Sequence, residues 1–391
     1  MQRPLRVAVV ACEASGDVLG AGLLRALQAA SPGVAFEGMA GPQMRAAGCE
    51  SWHGIEEVSV MGLVEVLPHL PRLLRLRRNL ADRIVAARPD VFVGIDSPDF
   101  NLPIARAVRA AGIPTVQYVS PQVWAWRRSR VTRIQAAVDR MLCVLPFEER
   151  FFSDHGVAAD FVGHPLADEI VPESGTAQAR RRIGADPNRP LIALLPGSRG
   201  SEINRLAAPF LGTAAFLQRT RPDLQFAIAL ANDKAGAIVA DERGRAALRE
   251  QPLVIQGNTR DVVSAADVVL TASGTATLET LLLGRKMVVA HRIAPLTYWL
   301  VRRLGVARLP NFSLPNLLAG RRIVPEFVQQ RVVPEVLGAA LLEVLDERLI
   351  DPEWREQYAR IRRNLKRNAS RTAAASVLDL VMTHDGRRGP S

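Results

Sequence analysis

The chain has 391 residues, 48% of them hydrophobic, which is more than one ordinary core accommodates and enough to fill two. Its formal net charge of +11 suits an anionic partner such as a phosphorylated substrate, an anionic lipid surface or nucleic acid, and does not choose among them. The strand-like run Val7 to Ala11 follows Met1 to Arg6 without an apolar leader and cleavage site. The long apolar stretch 262–274 is broken by Asp267 and falls short of the ~20 residues that span a bilayer, so the expectation is a cytoplasmic protein with at most peripheral membrane contact.

The first half alternates short β-branched runs, Arg6 to Ala11, Val34 to Met39, Val91 to Ile95, Thr115 to Val119 and Met141 to Leu145, with longer helical patterns. That alternation predicts a parallel sheet with crossover helices. The turn-rich segment from Gly163-His164-Pro165 to Gly175 marks a boundary, after which the pattern restarts with Leu191 to Leu195, Gln225 to Leu230, Leu253 to Gln256, Asp267 to Thr271 and Met287 to Ala290. The expected organisation is an α/β protein with two Rossmann-like domains, 1–165 and 166–345. Helices follow over 346–383, packing back on the N-terminal domain, and an unstructured tail covers 384–391. Tandem domains of this kind bring the carboxyl ends of their strands to a shared cleft, where open α/β sheets bind ligands.

In the first domain, the turn after the first strand reads Cys12-Glu13-Ala14-Ser15-Gly16-Asp17, lacks GxGxxG and carries carboxylates, which suits a sugar hydroxyl better than a dinucleotide phosphate. Met61, Leu63 and Val66, followed by Arg72, Arg75 and Arg78 at helical spacing, form either an interfacial, lipid-facing element or a buried crossover helix with solvated arginines. The strand Val91 to Ile95 delivers Asp96 and Asp99 at its carboxyl end. Asp96 stands where a general base would sit, and a helix-capping role is the alternative. Trp124 and Trp126 lie beyond another strand end, either flooring a cleft or packing beneath it.

In the second domain, Ser198 and Arg199 follow the first strand in a glycine-flanked loop, a guanidinium suited to a diphosphate or else an ordinary exposed turn. The run Ala272-Ser273-Gly274-Thr275-Ala276 reads as a strand, a small-residue turn and a helix start. Such a start offers free N–H groups to phosphate, the alternative being a tight turn made small for packing. Glu279 falls one helical turn beyond Thr275, within reach of ribose hydroxyls. No DxD pair, HExxH or paired-cysteine spacing occurs, so neither a metal nor another cofactor is expected. Cys12, Cys49 and Cys143 read as reduced thiols.

Taken together, Glu13 to Asp17, Gly41-Pro42-Gln43-Met44, Val60-Met61-Gly62, Gly94 to Asn101, Tyr118 to Trp126, Leu195 to Arg199, Ala272 to Ala276 and Ser313 to Gly320 resemble the lipid A disaccharide synthase family, from the first strand to about Gly320. Cys12, where the family usually has Gly, and Ala14, where Thr is common, depart from its pattern. The resemblance implies a GT-B fold and metal-independent, inverting transfer of 2,3-diacylglucosamine from its UDP derivative to 2,3-diacylglucosamine 1-phosphate. It casts Asp96 as base with Glu13 and Ser15 nearby. Arg199, Ser198, Ser273, Gly274, Thr275, Glu279 and Asn316 would hold UDP, with His164 and Arg292 as lesser candidates. Ser15, Met61, Leu63, Val66, Arg72, Arg75 and Trp124 would face acceptor or lipid. It also implies peripheral contact with the anionic cytoplasmic face of the inner membrane, leaves a homodimer open, and removes the need for nucleic acid to explain the charge. A UDP-sugar epimerase of the same fold and a nucleic-acid-binding protein are the alternatives.

Overall fold

A computed structural model describes residues 3–59, 66–123, 130–171, 175–230, 232–294 and 311–388. Two compact units emerge, Met1–Asp168 with Asn364–Ser391, and Glu169–Arg363. Each is a parallel sheet with crossover helices, as the alternation of apolar runs requires.

The first unit carries a seven-stranded sheet in the order β3-β2-β1-β4-β5-β6-β7. Its strands are β1 (Arg6–Ala11), β2 (Ala35–Ala40), β3 (Cys49–Gly54), β4 (Val91–Ile95), β5 (Thr115–Tyr118), β6 (Arg140–Cys143) and β7 (Ala159–Phe161). The central strands β1 and β4 are buried along nearly their whole length, and they pair in register from Val7↔Val91 to Ala11↔Ile95. The order reverses direction between them, which makes their carboxyl ends the switch point of the sheet.

The second unit repeats the scheme with six strands in the order β10-β9-β8-β11-β12-β13. These are β8 (Leu191–Leu195), β9 (Gln225–Leu230), β10 (Leu253–Gln256), β11 (Val268–Ala272), β12 (Lys286–His291) and β13 (Glu326–Val328). Its switch point lies between β8 and β11, paired from Val268↔Ile192 to Thr271↔Leu195. An apolar cluster on one side of this sheet runs from Ile192 and Phe210 to Leu341 and Val344.

The block 346–383, which the sequence reading treats as one, is divided by the structure. Helix Trp354–Leu365 lies largely in the second unit, whereas helix Ala369–Arg388 belongs to the first and packs on helix Ala14–Ala30. Ala373, Ala374 and Val377 are buried on that last helix, which alone makes the expected return to the first unit. The helix continues to Arg388, past His384 where an unstructured tail is expected.

Candidate functional site

The switch point of the first unit gathers Glu13, Ser15 and Asp96. Glu13 is the residue before helix Ala14–Ala30, exposed, with its carbonyl accepting from Asp17 N at 2.9 Å. Ser15 Oγ donates to Asp96 Oδ2 at 3.3 Å, and Ser97 N donates to Asp96 Oδ1 at 2.8 Å. Asp96 is half-buried and caps no helix through its side chain. Ser97 is the cap residue of helix Pro98–Ala110, and no side-chain cap bond forms there.

The backbone here is strained. Asp96, Ser97 and Val119 have φ of 53°, 38° and 73°, a left-handed region that costs a residue with a side chain on the order of 1–3 kcal/mol. Two buried amides hold it. Asn101 Nδ2 donates to the carbonyls of Val10 at 3.3 Å, Ile95 at 3.2 Å and Asp96 at 2.9 Å. Gln117 Nε2 donates to Asp96 O at 2.9 Å and to the carbonyls of Tyr118 and Val119 at 3.3 Å. Gly94 makes room for both. A Cβ there would lie 2.8 Å from Gln117 Oε1 and 2.9 Å from Asn101 Cβ. The sequence reading misses these braces, although a Gln inside the buried run Thr115 to Tyr118 is the signal that could have found one.

Asp17 departs from the sugar-binding reading of the Glu13–Asp17 turn. It is 2% exposed, and its two carboxylate oxygens accept from Gln43 N at 2.8 Å and Met44 N at 2.9 Å, capping helix Pro42–Ala46. Glu13 is left as the exposed carboxylate of that turn. His164 donates its backbone N–H to Leu365 O at 2.9 Å, and its Nδ1 accepts from Leu166 N at 3.3 Å. Burial lowers its pKa to about 4, so the ring is neutral near pH 7. Met61, Leu63 and Trp124 lie outside the described residues, as does the side chain of Val66. Arg72 and Arg75 are exposed on helix Val66–Ala87.

In the second unit the neighbouring strands β8 and β11 each run into a helix. Arg199 precedes helix Gly200–Thr220, and Gly274 precedes helix Thr275–Leu282. Neither helix start is capped by a side chain, so the first N–H groups of both are available to an anion. Ser198, Arg199, Gly274 and Thr275 are exposed, and a Cβ at Gly274 would meet nothing within 4 Å, leaving its backbone open to approach. Ser198 N leans on Glu202 Oε2 at 3.4 Å. Ser273 Oγ donates to Phe312 O at 3.0 Å, joining the turn to residues 312–316.

Glu279 follows within the same helix, its pKa raised by burial while Arg260, 3.8 Å away, pulls the other way. The Asn316 side chain is turned into the unit. It is fully buried, its Nδ2 donating to Val324 O at 2.9 Å and Glu326 Oε1 at 2.7 Å, its Oδ1 accepting from Ile323 N at 2.7 Å and Val324 N at 2.9 Å. Those bonds tie the Asn316 amide to Ile323, Val324 and the Glu326 carboxylate. That carboxylate also accepts from Phe312 N at 2.9 Å and Ser313 N at 2.8 Å, seating the segment that Ser273 touches. Arg292 donates to Arg205 O at 3.4 Å and Val332 O at 3.3 Å, a brace within the unit. A hollow of about 590 Å³ between β13 and helix Pro334–Leu345 is lined by none of the candidate site residues, although Ile323 and Val324 reach it. Among the described residues no three His, Cys, Asp or Glu side chains are grouped to hold a metal ion.

The model of the lipid-A-disaccharide synthetase family matches residues 7–381. The chain belongs to this family. It is 49% identical over 376 residues to a lipid-A-disaccharide synthase of Alkalilimnicola ehrlichii and 48% identical over 379 residues to one of Pseudomonas aeruginosa. Each match covers 96% of this chain and 98% of the relative. Among solved structures, the UDP-GlcNAc 2-epimerase of Neisseria meningitidis superposes with a TM-score of 0.66 at 12% identity, covering 96% of this chain and all of that one. The calicheamicin glycosyltransferase CalG4 superposes with a TM-score of 0.55 at 15% identity, covering all of both chains. At such identities these neighbours establish the GT-B fold alone, and the epimerase among them does not favour epimerisation.

Proposed function

We propose that the protein transfers 2,3-diacylglucosamine from its UDP derivative to the 6-hydroxyl of 2,3-diacylglucosamine 1-phosphate, giving the β-1,6-linked disaccharide 1-phosphate and UDP. The observation that carries this reading is the family match along residues 7–381, and the two switch points supply chemistry for it. Asp96 accepts the proton of the acceptor hydroxyl as that oxygen attacks the anomeric carbon from the face opposite UDP, which inverts the centre. Ser15, donating to Asp96, and the amides of Asn101 and Gln117 hold the carboxylate and its backbone in place. A positioned base contributes about 10²–10⁴-fold.

The departing UDP gains charge on its diphosphate. Arg199 and the uncapped starts of helices Gly200–Thr220 and Thr275–Leu282 would take it, and Glu279 would meet ribose hydroxyls. Both substrates carry acyl chains, so their source is a bilayer surface. Helix Val66–Ala87 buries Leu76, Leu80 and Ile84 against its unit while Leu70 and Leu74 remain 42% and 43% exposed beside Arg72, Arg75 and Arg78. Apolar and cationic residues on one exposed face suit peripheral docking on an anionic leaflet. No described helix is long and apolar enough to cross a membrane.

The test is to incubate the purified chain with the diacylated UDP-sugar and the acceptor in detergent micelles and to measure UDP and disaccharide by mass. Both products are expected in equal amounts. UDP-sugar turnover without an acceptor would favour the epimerase reading, and absence of any product would remove the proposal.

A further inference from the structure

Beside Asp96, the first unit contains a second feature that the transfer chemistry leaves unused. A cavity of about 430 Å³ opens between helices Val66–Ala87, Pro98–Ala110 and Val131–Gln135, within the volume range of small-molecule sites. Arg77, Arg106, Arg130 and Arg133 line it, with Asp99 as its single carboxylate, and Leu102 and prolines supply apolar wall. Four guanidinium groups less one carboxylate leave a net charge of +3.

Charge of one sign collected in a concavity is costly without a counter-ion. Arg130 lies 2.9 Å from Asp99, but the two side chains are 37% and 80% exposed, so that pair is weak and readily exchanged. Arg77, Arg106 and Arg133 have no carboxylate partner among the described residues. Arg106 and Arg133 are exposed and Arg77 is half-buried, so their heads are accessible to solute. Guanidinium forks match the oxygens of a phosphate dianion and bond it in pairs.

Position then selects the ligand. The pocket begins at Pro98 and Asp99, in the first turn of the helix that Asp96 precedes. Three residues of fully extended chain span at most about 11 Å, so the base and the basic cavity are one small molecule apart. In a hexopyranose the anomeric carbon and the carbon that bears the 6-hydroxymethyl group flank the ring oxygen, so the two substituents leave the same edge of the ring. An acceptor that presents its 6-hydroxyl to Asp96 can thus extend an anomeric phosphate towards the arginines.

We infer that the cavity of Arg77, Arg106, Arg130 and Arg133 is a phosphomonoester site that holds the phosphate of the acceptor sugar and selects phosphorylated acceptors. The inference rests on the proposed transfer for the identity of the acceptor, while the binding chemistry stands on the cavity. An anionic lipid headgroup would share that chemistry, and the experiment separates the two.

The whole chain and an Arg106→Ala/Arg133→Ala variant are titrated in non-ionic micelles with diacylated glucosamine 1-phosphate and with the same lipid after phosphatase treatment. No donor is present, so the readout does not depend on turnover. The wild type should bind the phosphorylated form the more tightly, and the variant should lose about 10- to 100-fold of that preference while its affinity for the dephosphorylated form holds. A matching rise in KM for the phosphorylated acceptor, with KM for the donor unchanged, is expected in turnover. Sedimentation with phosphatidylcholine vesicles, with and without phosphatidylglycerol, gives the second arm. Retained preference for the phosphorylated form overturns the inference, and retained preference with loss of anionic-vesicle binding reassigns the cavity to headgroups. Failure of the transfer proposal shows itself separately, as wild-type chain that discriminates the phosphate and forms no disaccharide.

Discussion

Gln117→Leu isolates the brace behind Asp96. The substitution keeps approximate shape and removes the Nε2 that reaches the carbonyls of Asp96, Tyr118 and Val119. Two of those carbonyls keep another donor, Asp96 O from Asn101 and Tyr118 O from Asp96 N at 2.8 Å. The loss therefore concentrates on Val119 O, at a residue whose φ is 73°. One orphaned carbonyl at this half-buried residue costs at most about 1–3 kcal/mol. In a domain of this size each kcal/mol lowers Tm by about 2–4 °C, so a drop of at most roughly 2–12 °C is expected. Relaxation of the strained Asp96–Ser97 backbone also displaces the base, and a misplacement near 1 Å costs about 10²-fold in rate. Thermal melting and initial rates of UDP release test both parts, with kcat expected to fall and KM for the UDP donor to stay. A lowered Tm with unchanged kcat would show that Gln117 supports the fold and not the base, refuting the positioning argument.

The other expectations are simpler to read. Burial raises the thiols of Cys12 and Cys49 to about 12 and that of Cys143 further, so the folded chain should resist iodoacetamide at pH 8 while the urea-unfolded chain takes three labels by mass. His164 has a folded pKa near 4, below its ordinary value of 6.5, so the unfolded chain binds the extra proton first. Stability should decline as pH falls from 6.5 towards 4, with a lower urea midpoint at pH 5 than at pH 7.5, and His164→Gln should flatten that slope. Leu70→Glu/Leu74→Glu should reduce sedimentation with anionic vesicles and leave turnover of micellar substrate intact. Equal sedimentation would remove that face from the membrane contact.

Strands that are buried on both faces were the legible part of the fold. β1, β4, β8 and β9 are continuous apolar runs because helices cover both sides of a parallel sheet, and their limits coincide with the sequence reading. β3, β7 and β13 escaped it, and all three are edge strands. An edge strand pairs on one side only, so Cys-Glu-Ser-Trp-His-Gly and the short Ala159–Phe161 and Glu326–Val328 need no apolar run. The return to the first unit, expected for the whole block 346–383, is made by helix Ala369–Arg388, a contact across most of the chain whose extent no local pattern fixes.

The site divides in the same way. The placement of Asp96, Ser15, Arg199, Ser273 and Gly274 at strand ends and helix starts was legible from the apolar runs beside them, while their roles stand as proposals. Asp17 and Asn316 carry the same polar groups, yet their hydrogen bonds are spent on Gln43 and Met44 and on residues 323–326. Sequence records the donor and the acceptor but not which partner is met. Gln117 reaches Asp96 from 21 residues away, Asn101 reaches Val10 from 91, and the four-arginine cavity draws on separate helices, so only the folded chain assembles them.

The division of labour between the two switch points is tested most directly by Asp96→Asn, measured for UDP affinity and for disaccharide formation on the same preparation. UDP should bind as it does to the wild type, because its proposed contacts lie in the second unit, while turnover falls by about 10²–10⁴-fold. Turnover near the wild-type rate would contradict the assignment of Asp96 as the base.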